Sequence, residues 1–242
     1  MRYFGLIGRS LSHSFSQKFF NAKFAAEGIE ADYKLIEIED IERIDKAIAE
    51  HQLSGFNVTI PYKESIIPHL DELTTEAREV GAVNCVVIKD GVKCGHNTDV
   101  VGIDATMEWL AVEDGAKVLI LGTGGASKAL QHVLRKRGIE YSIVSRDKSR
   151  GDYCYDDITN EVIAQHRVIV NTTPVGMYPN VEKAPAINYD AITEQHHAFD
   201  MVYNPATTQF LARCKERGAK TMGGMLMLQT QAIASWHLWQ ER

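Results

Sequence analysis

No cysteine in this chain has a partner at CxxC spacing: Cys85, Cys94, Cys154 and Cys214 are scattered through 242 residues. That excludes a zinc ribbon and a secreted disulfide framework, so reduced thiols and a cytoplasmic location are expected. Positive charge is also short, with 26 Lys and Arg against 32 Asp and Glu and a formal net charge of -6. Without a basic face there is no footprint for a phosphate backbone, and nucleic acid is not an expected partner. Long hydrophobic runs are missing too. The apolar run Tyr3 to Ile7 is too short for a leader, and no segment approaches transmembrane length, so neither export nor a membrane is expected. There is no internal repeat, no GxSxG elbow and no P-loop, and neither His13 nor His96 has a companion at metal-ligand spacing. No metal is expected, and both histidines are read as structural hydrogen-bonding groups.

What is present is 45% hydrophobic residues in a length that suits one large or two modest domains. Strand-like stretches recur at Phe4-Ile7, Tyr33-Ile38, Phe56-Ile60 and Val83-Ile88, with helical spacing between them, as at Phe19, Phe20, Phe24 and Ala25. The first half is therefore α/β. Asp90-Gly91 between two extended segments predicts a tight hairpin, after which the chain changes domain near Asn97. Helix-like Val100 to Leu110 leads to Lys117-Val118-Leu119-Ile120-Leu121, whose continuous apolar core fits a strand buried on both faces of a parallel sheet. A helix from Ala129 to Arg137, a stop at Gly138 and a strand at Tyr141-Ser145 complete one βαβ unit. Further strands are predicted at Val168-Val170 and Ala198-Val202. A last helix runs from Met225 to Trp239 and is expected to pack back on the first domain.

Between the first two strands of that βαβ unit lies Gly122-Thr123-Gly124-Gly125-Ala126-Ser127. Glycines there allow a tight turn and close backbone approach to a pyrophosphate, and the following helix points its unpaired amides at the phosphates. Ser127 stands where the strict fingerprint has glycine. The second strand ends in Ser145-Arg146-Asp147 rather than in the acidic residue that usually accepts ribose hydroxyls. Arg146 suits a 2'-phosphate, Arg150 adds charge, and NADP is the preferred cofactor. Asp147 keeps NAD open, since its carboxylate can bind a ribose hydroxyl if it turns inward.

Two distant segments, Ser12-His13-Ser14-Phe15-Ser16 and Asn57-Val58-Thr59-Ile60-Pro61-Tyr62-Lys63, gather hydroxyls, an amide and a lysine near strand ends. Ser14, Ser16 and Thr59, with the amides of Asn57, Asn84 and Gln229, suit a carboxylate and several ring hydroxyls. Ser14 or Ser16 is equally suited to capping a helix that begins near Gln17. An ammonium can stabilise and protonate the oxygen of a ketone that accepts hydride, which makes Lys63 the candidate acid, with Asp99 of Asn97-Thr98-Asp99 to orient it.

Taken in order, these segments, with Gly81-Ala82-Val83-Asn84, the glycine loop and Gly224-Met225-Leu226 plus Gln229, resemble the shikimate dehydrogenase family over nearly the whole chain. The resemblance implies reversible NADPH-dependent reduction of 3-dehydroshikimate to shikimate. It makes Lys63 and Asp99 the catalytic pair and assigns Ser14, Ser16, Thr59, Asn84, Tyr203 and Gln229 to the substrate. It assigns Gly122, Thr123, Gly124, Gly125, Ala126, Arg146, Arg150, Thr172, Met201 and Gly223 to NADP. The implied architecture has an α/β substrate-binding domain over 1-97, completed by a C-terminal helix at 225-242, and a Rossmann-like dinucleotide-binding domain over 98-224, with a cleft between them. Two other readings stay open: a quinate and shikimate dehydrogenase that uses NAD, and a non-catalytic sensor that keeps the fold. A homodimer is neither required nor excluded.

Overall fold

The computed structural model describes residues 1-11, 14-110 and 115-241. Ser12 and His13 lie outside the described residues, and with them the structural role expected of His13. The chain divides into two compact units, one of Met1–Thr98 with Ala232–Arg242, the other of Asp99–Gln231.

The first unit runs β1 (Arg2–Gly8), α1 (Ser16–Glu27), β2 (Ala31–Glu37), α2 (Ile44–His51), β3 (Leu53–Val58), β4 (Glu72–Leu73), α3 (Thr75–Val80), β5 (Cys85–Lys89) and β6 (Val92–His96). Among the described residues these strands form one sheet in the order β2-β1-β3-β5-β6-β4. β1 is parallel to both β2 and β3, while β3/β5 and β5/β6 are antiparallel. Lys89 faces Val92 across the Asp90-Gly91 turn, which is the predicted hairpin. Side chains alternate between two cores with the period of a strand. Phe4, Leu6, Tyr33 and Cys85 join Phe20, Phe24, Trp236 and Trp239 on one face. Ile7, Ile36, Phe56, Val58 and Val86 meet Ile44, Ala47 and Ala77 on the other. A strand was predicted to reach Ile60, but the ladder ends at Val58. The Tyr62 N–H turns back to the Thr59 carbonyl at 2.9 Å and closes a loop there.

The second unit runs α4 (Asp99–Leu110), β7 (Val118–Leu121), α5 (Gly125–Arg137), β8 (Tyr141–Ser145), β9 (Tyr153–Cys154), α6 (Asn160–Gln165), β10 (Val168–Asn171), β11 (His197–Asp200), α7 (Gln209–Glu216) and β12 (Lys220–Met222), and α8 (Met225–Gln240) begins in it and passes into the first unit at Ala232. Among the described residues the sheet is parallel throughout, in the order β12-β11-β10-β7-β8-β9. All four residues of β7 and of β10 are buried, as central parallel strands require. α5 buries Ala129, Leu130, Val133 and Leu134 and ends at Gly138 in the left-handed conformation. The strand predicted over Ala198-Val202 stops at Asp200, because the Val202 N–H turns into the Asp200 carboxylate at 3.0 Å and leaves the ladder. Among the described residues no helix is long and apolar enough to cross a membrane.

Candidate active site

Each sheet has a point where the chain reverses its direction of travel across the strands, and in open α/β sheets ligands settle outside the strand carboxyl ends at that point. In the first unit it falls between β1 and β3, since β2 is added on one side of β1 and β3 on the other. Ser14 and Ser16 follow β1; Thr59 and Lys63 follow β3. In the second unit it falls between β7 and β10. The glycine loop follows β7, and Asn171-Thr172-Thr173 ends β10 and follows it.

In the first unit the predicted residues are joined by backbone bonds and a buried polar layer. The Thr59 N–H donates to the Ile7 carbonyl at 2.9 Å, and the Val58 N–H to the Asn84 carbonyl at 2.9 Å. The Lys63 carbonyl accepts the Val83 N–H at 2.7 Å, while the buried Tyr62 hydroxyl donates to the Ile38 carbonyl at 2.7 Å. These bonds fix the Lys63 backbone from both sides and leave its side chain half-buried. Ser14 Oγ accepts the Ser16 N–H at 3.2 Å, satisfying a first-turn donor of α1, whose cap residue Phe15 makes no side-chain bond. Ser16 is itself buried and hydrogen-bonded to the hydroxyl of Tyr33, whose ionisation burial pushes well up.

That hydroxyl donates to Asn57 Oδ1 at 2.9 Å, and Asn57 Nδ2 donates to the Asn84 carbonyl at 3.1 Å and to Ser235 Oγ at 2.9 Å. Asn57 was read as a substrate amide. Its oxygen and both its amide protons are engaged inside the protein, so its part is to brace Asn84 rather than to touch a ligand. Asn84 is buried, donates to Thr98 Oγ1 at 3.0 Å and accepts the Thr98 N–H at 2.6 Å. Thr98 Oγ1 also lies 3.0 Å from Ser235 Oγ. Tyr33, Thr98 and Ser235 were not singled out in the sequence, and only Thr98, beside Asp99, offered a signal. His96 is half-buried, and burial lowers its pKa.

In the second unit Asp99 is buried and opens α4, where the helix dipole favours a carboxylate. Tyr203 follows β11, half-buried, and Gln229 lies exposed on α8. Gly122 has φ +114, and a Cβ there would come within 2.8 Å of Thr172 Oγ1 and Thr173 Cγ2. Only glycine fits that turn. Gly124 precedes α5 with no side-chain cap, leaving the first-turn amides aimed past Gly125 and Ala126. Ser127, where the fingerprint has glycine, is fully buried with its hydroxyl accepting from Gln131 Nε2 at 3.1 Å. Arg150 Nη2 reaches the Thr123 carbonyl at 3.5 Å, beside the loop, and Arg146 is exposed. Asp147 turns into its own loop: its carboxylate accepts the Ser149 N–H at 3.0 Å and the Ser149 hydroxyl at 2.8 Å, and these bonds hold its pKa below the usual range. Thr172 donates its hydroxyl to the Leu121 carbonyl at 2.8 Å. Gly224 packs so closely on Met201 that a Cβ would run into the Met201 carbonyl, while a Cβ at Gly223 would meet the Ala206 carbonyl.

A family described as the shikimate dehydrogenase substrate binding domain matches residues 6-86. The NADP+ shikimate dehydrogenase of Methanosphaera stadtmanae is 35% identical over 97% of this chain and 89% of its own length. That of Clostridium beijerinckii is 36% identical over 100% and 93%. Among solved structures, shikimate dehydrogenase 1 of Peptoclostridium difficile superposes with TM-score 0.87 at 39% identity, covering 99% of this chain and 92% of that one. The Thermus thermophilus enzyme in complex with NADP(H) and shikimate gives TM-score 0.88 at 29% identity, over 99% and 94%. Quinate dehydrogenase of Corynebacterium glutamicum in complex with NAD gives 0.87 at 29%, over 99% and 93%.

Proposed function

The chain belongs to the shikimate dehydrogenase family, and on that premise we propose that Lys63 and Asp99 are its catalytic pair, with Ser14, Ser16, Thr59, Asn84, Tyr203 and Gln229 holding the substrate. The activity is that of an oxidoreductase, the reversible reduction of 3-dehydroshikimate to shikimate. What supports the residue assignment is the placement of Ser14, Ser16, Thr59 and Lys63 directly after the two strands that flank the reversal of the first sheet.

The residues around the second reversal fit a dinucleotide. The glycine-only turn at Gly122, the uncapped start of α5 and Arg150 beside Thr123 form a cradle for a pyrophosphate. A reduced dinucleotide held by these residues would supply the hydride that the ring ketone carbon needs. Lys63 Nζ gives its proton to the ketone oxygen as negative charge gathers on it, and Asp99 orients the ammonium. In the reverse direction Lys63 Nζ takes the hydroxyl proton. The hydroxyls of Ser14, Ser16 and Thr59 position the substrate carboxylate and ring hydroxyls so that the carbonyl meets Lys63.

The cofactor we assign is NADP. Arg146 is exposed, and Asp147 turns its carboxylate into its own loop, where it accepts from Ser149, so Arg146 is the cation offered to a 2'-phosphate. The likeness to an NAD-bound quinate dehydrogenase supports a second reading with NAD and quinate. A cross of shikimate and quinate with NADP and NAD, followed by reduced-nicotinamide absorbance, decides between them. Rapid turnover with shikimate and NADP alone is the expected result. Comparable turnover with quinate or NAD selects the second reading, and silence in all four arms with ligand binding retained would mark a sensor.

A further inference from the structure

We infer that Asp200 is a positioning residue of the dinucleotide site: its carboxylate ties together the two loops that carry Thr172 and Met201, and so sets both against the cofactor. The inference rests on the assignment of that site to NADP given above. Asp200 ends β11 with no exposed surface, so it does not touch a ligand. A carboxylate in such a place is tolerated only if its oxygens are bonded. Oδ1 accepts the Asn171 amide N–H at 3.0 Å and the Val202 backbone N–H at 3.0 Å. Oδ2 accepts the Thr208 hydroxyl at 2.5 Å. The three donors belong to three pieces of chain: the end of β10, the loop after β11, and the cap of α7.

Asn171 passes the constraint onward. Its Oδ1 accepts the Thr173 N–H at 3.1 Å and the Thr173 hydroxyl at 2.6 Å, and its second amide proton reaches the Val175 carbonyl at 3.2 Å. Thr172, between them, is fastened by its N–H to the Leu121 carbonyl at 3.0 Å and by its hydroxyl at 2.8 Å, beneath Gly122. On the other side the Met201 N–H donates to the Asn171 carbonyl at 3.0 Å, and the Gly224 N–H donates to the Val202 carbonyl at 3.1 Å. Thr172, Met201 and the Gly223-Gly224 turn are thus members of one bonded assembly that meets at Asp200. An apolar side chain there would orphan three buried donors at once. Asparagine would not: its oxygen keeps Asn171 and Val202, and its amine can donate to Thr208 Oγ1, which already accepts the Leu211 N–H at 3.3 Å.

The test compares wild type, Asp200→Ala and Asp200→Asn by NADPH titration, steady-state kinetics and backbone hydrogen exchange of the unliganded protein. Asp200→Ala is expected to weaken NADPH binding about tenfold or more, to speed exchange at Thr173, Val175 and Val202, and to leave the shikimate KM unchanged. Asp200→Asn is expected to restore NADPH affinity to within about threefold. A folded Asp200→Ala protein with wild-type affinity and wild-type exchange in these loops overturns the inference. Should that variant not fold, Thr208→Val removes one donor alone. A selective rise in the NADPH KM then supports the inference, and an unchanged KM overturns it. Wild-type protein that binds no NADPH overturns the cofactor assignment and this inference together, while loop exchange in the alanine variant distinguishes that failure from a failure of the bonding network.

Discussion

Lys63 is held through its neighbours: the Tyr62 hydroxyl donates to the Ile38 carbonyl, and the Lys63 carbonyl accepts the Val83 N–H, which together fix its backbone. Lys63→Ala should therefore lower kcat by about 10²- to 10⁴-fold with little change in thermal midpoint, and near-normal turnover would remove Lys63 from the chemistry. Asp200 makes a second prediction at this scale. Burial pushes its carboxyl up from 3.8 to about 6 against the bonds from Thr208, Val202 and Asn171. Cys214 and Tyr189 face it, and burial raises both, so they stay protonated through the same range. Between about pH 4 and pH 6 the folded state holds a proton that the unfolded chain has lost. Stability from this group is thus greatest below pH 4 and falls as pH rises to 6, by on the order of 3 kcal/mol. Urea midpoints across that window, compared with Asp200→Asn, should show the slope reduced in the variant; identical slopes would refute it. Residue types near loops were legible in the sequence, which is how Lys63, Thr59 and the glycine loop were found. The exhaustion of the Asn57 amide was not, because Tyr33 and Ser235 reach it from 24 and 178 residues away.

Among elements, α8 carries the most consequence for packing. Its last turns bring Trp236 and Trp239 into the aromatic core of the first unit, where Trp239 stacks on Phe4 at 4.7 Å and its indole N–H donates to the Val86 carbonyl at 3.0 Å. Trp239→Ala empties that volume and removes the indole hydrogen bond, so a loss of about 3–5 kcal/mol is expected, read as a lower urea midpoint; a loss under about 1 kcal/mol would mean the core closes over the gap. The β7-α5-β8 succession was legible because its apolar run, glycine loop and Gly138 stop agree with one another. The early ends of β3 and β11 were not. Each is set by a side-chain or turn bond, Tyr62 to Thr59 and Val202 to Asp200, that competes with the ladder and leaves no trace in hydrophobic pattern.

In the whole molecule, strand order decides where chemistry can sit. Two sheets, each with a reversal, offer two carboxyl-end crevices, and the hydroxyl-rich segments follow one while the glycine loop follows the other. Strand order is invisible to periodicity, so the sequence identified the segments while the placement waited for the topology. Addition of NADPH at about 100 times its dissociation constant should stabilise the protein by about 2.7 kcal/mol, with exchange protection greatest at the ends of β7 and β10. Protection spread evenly over both units would contradict the assignment of the cofactor to the second. The same partition bears on synthesis. The first unit is made of the opening 98 residues and the closing stretch from Ala232, and its aromatic core includes Trp236 and Trp239. A ribosome delivers those tryptophans only after the second unit has been made in full. A released 1-98 fragment should therefore stay expanded and aggregation-prone, and in the cell the first unit to begin must be the last to finish.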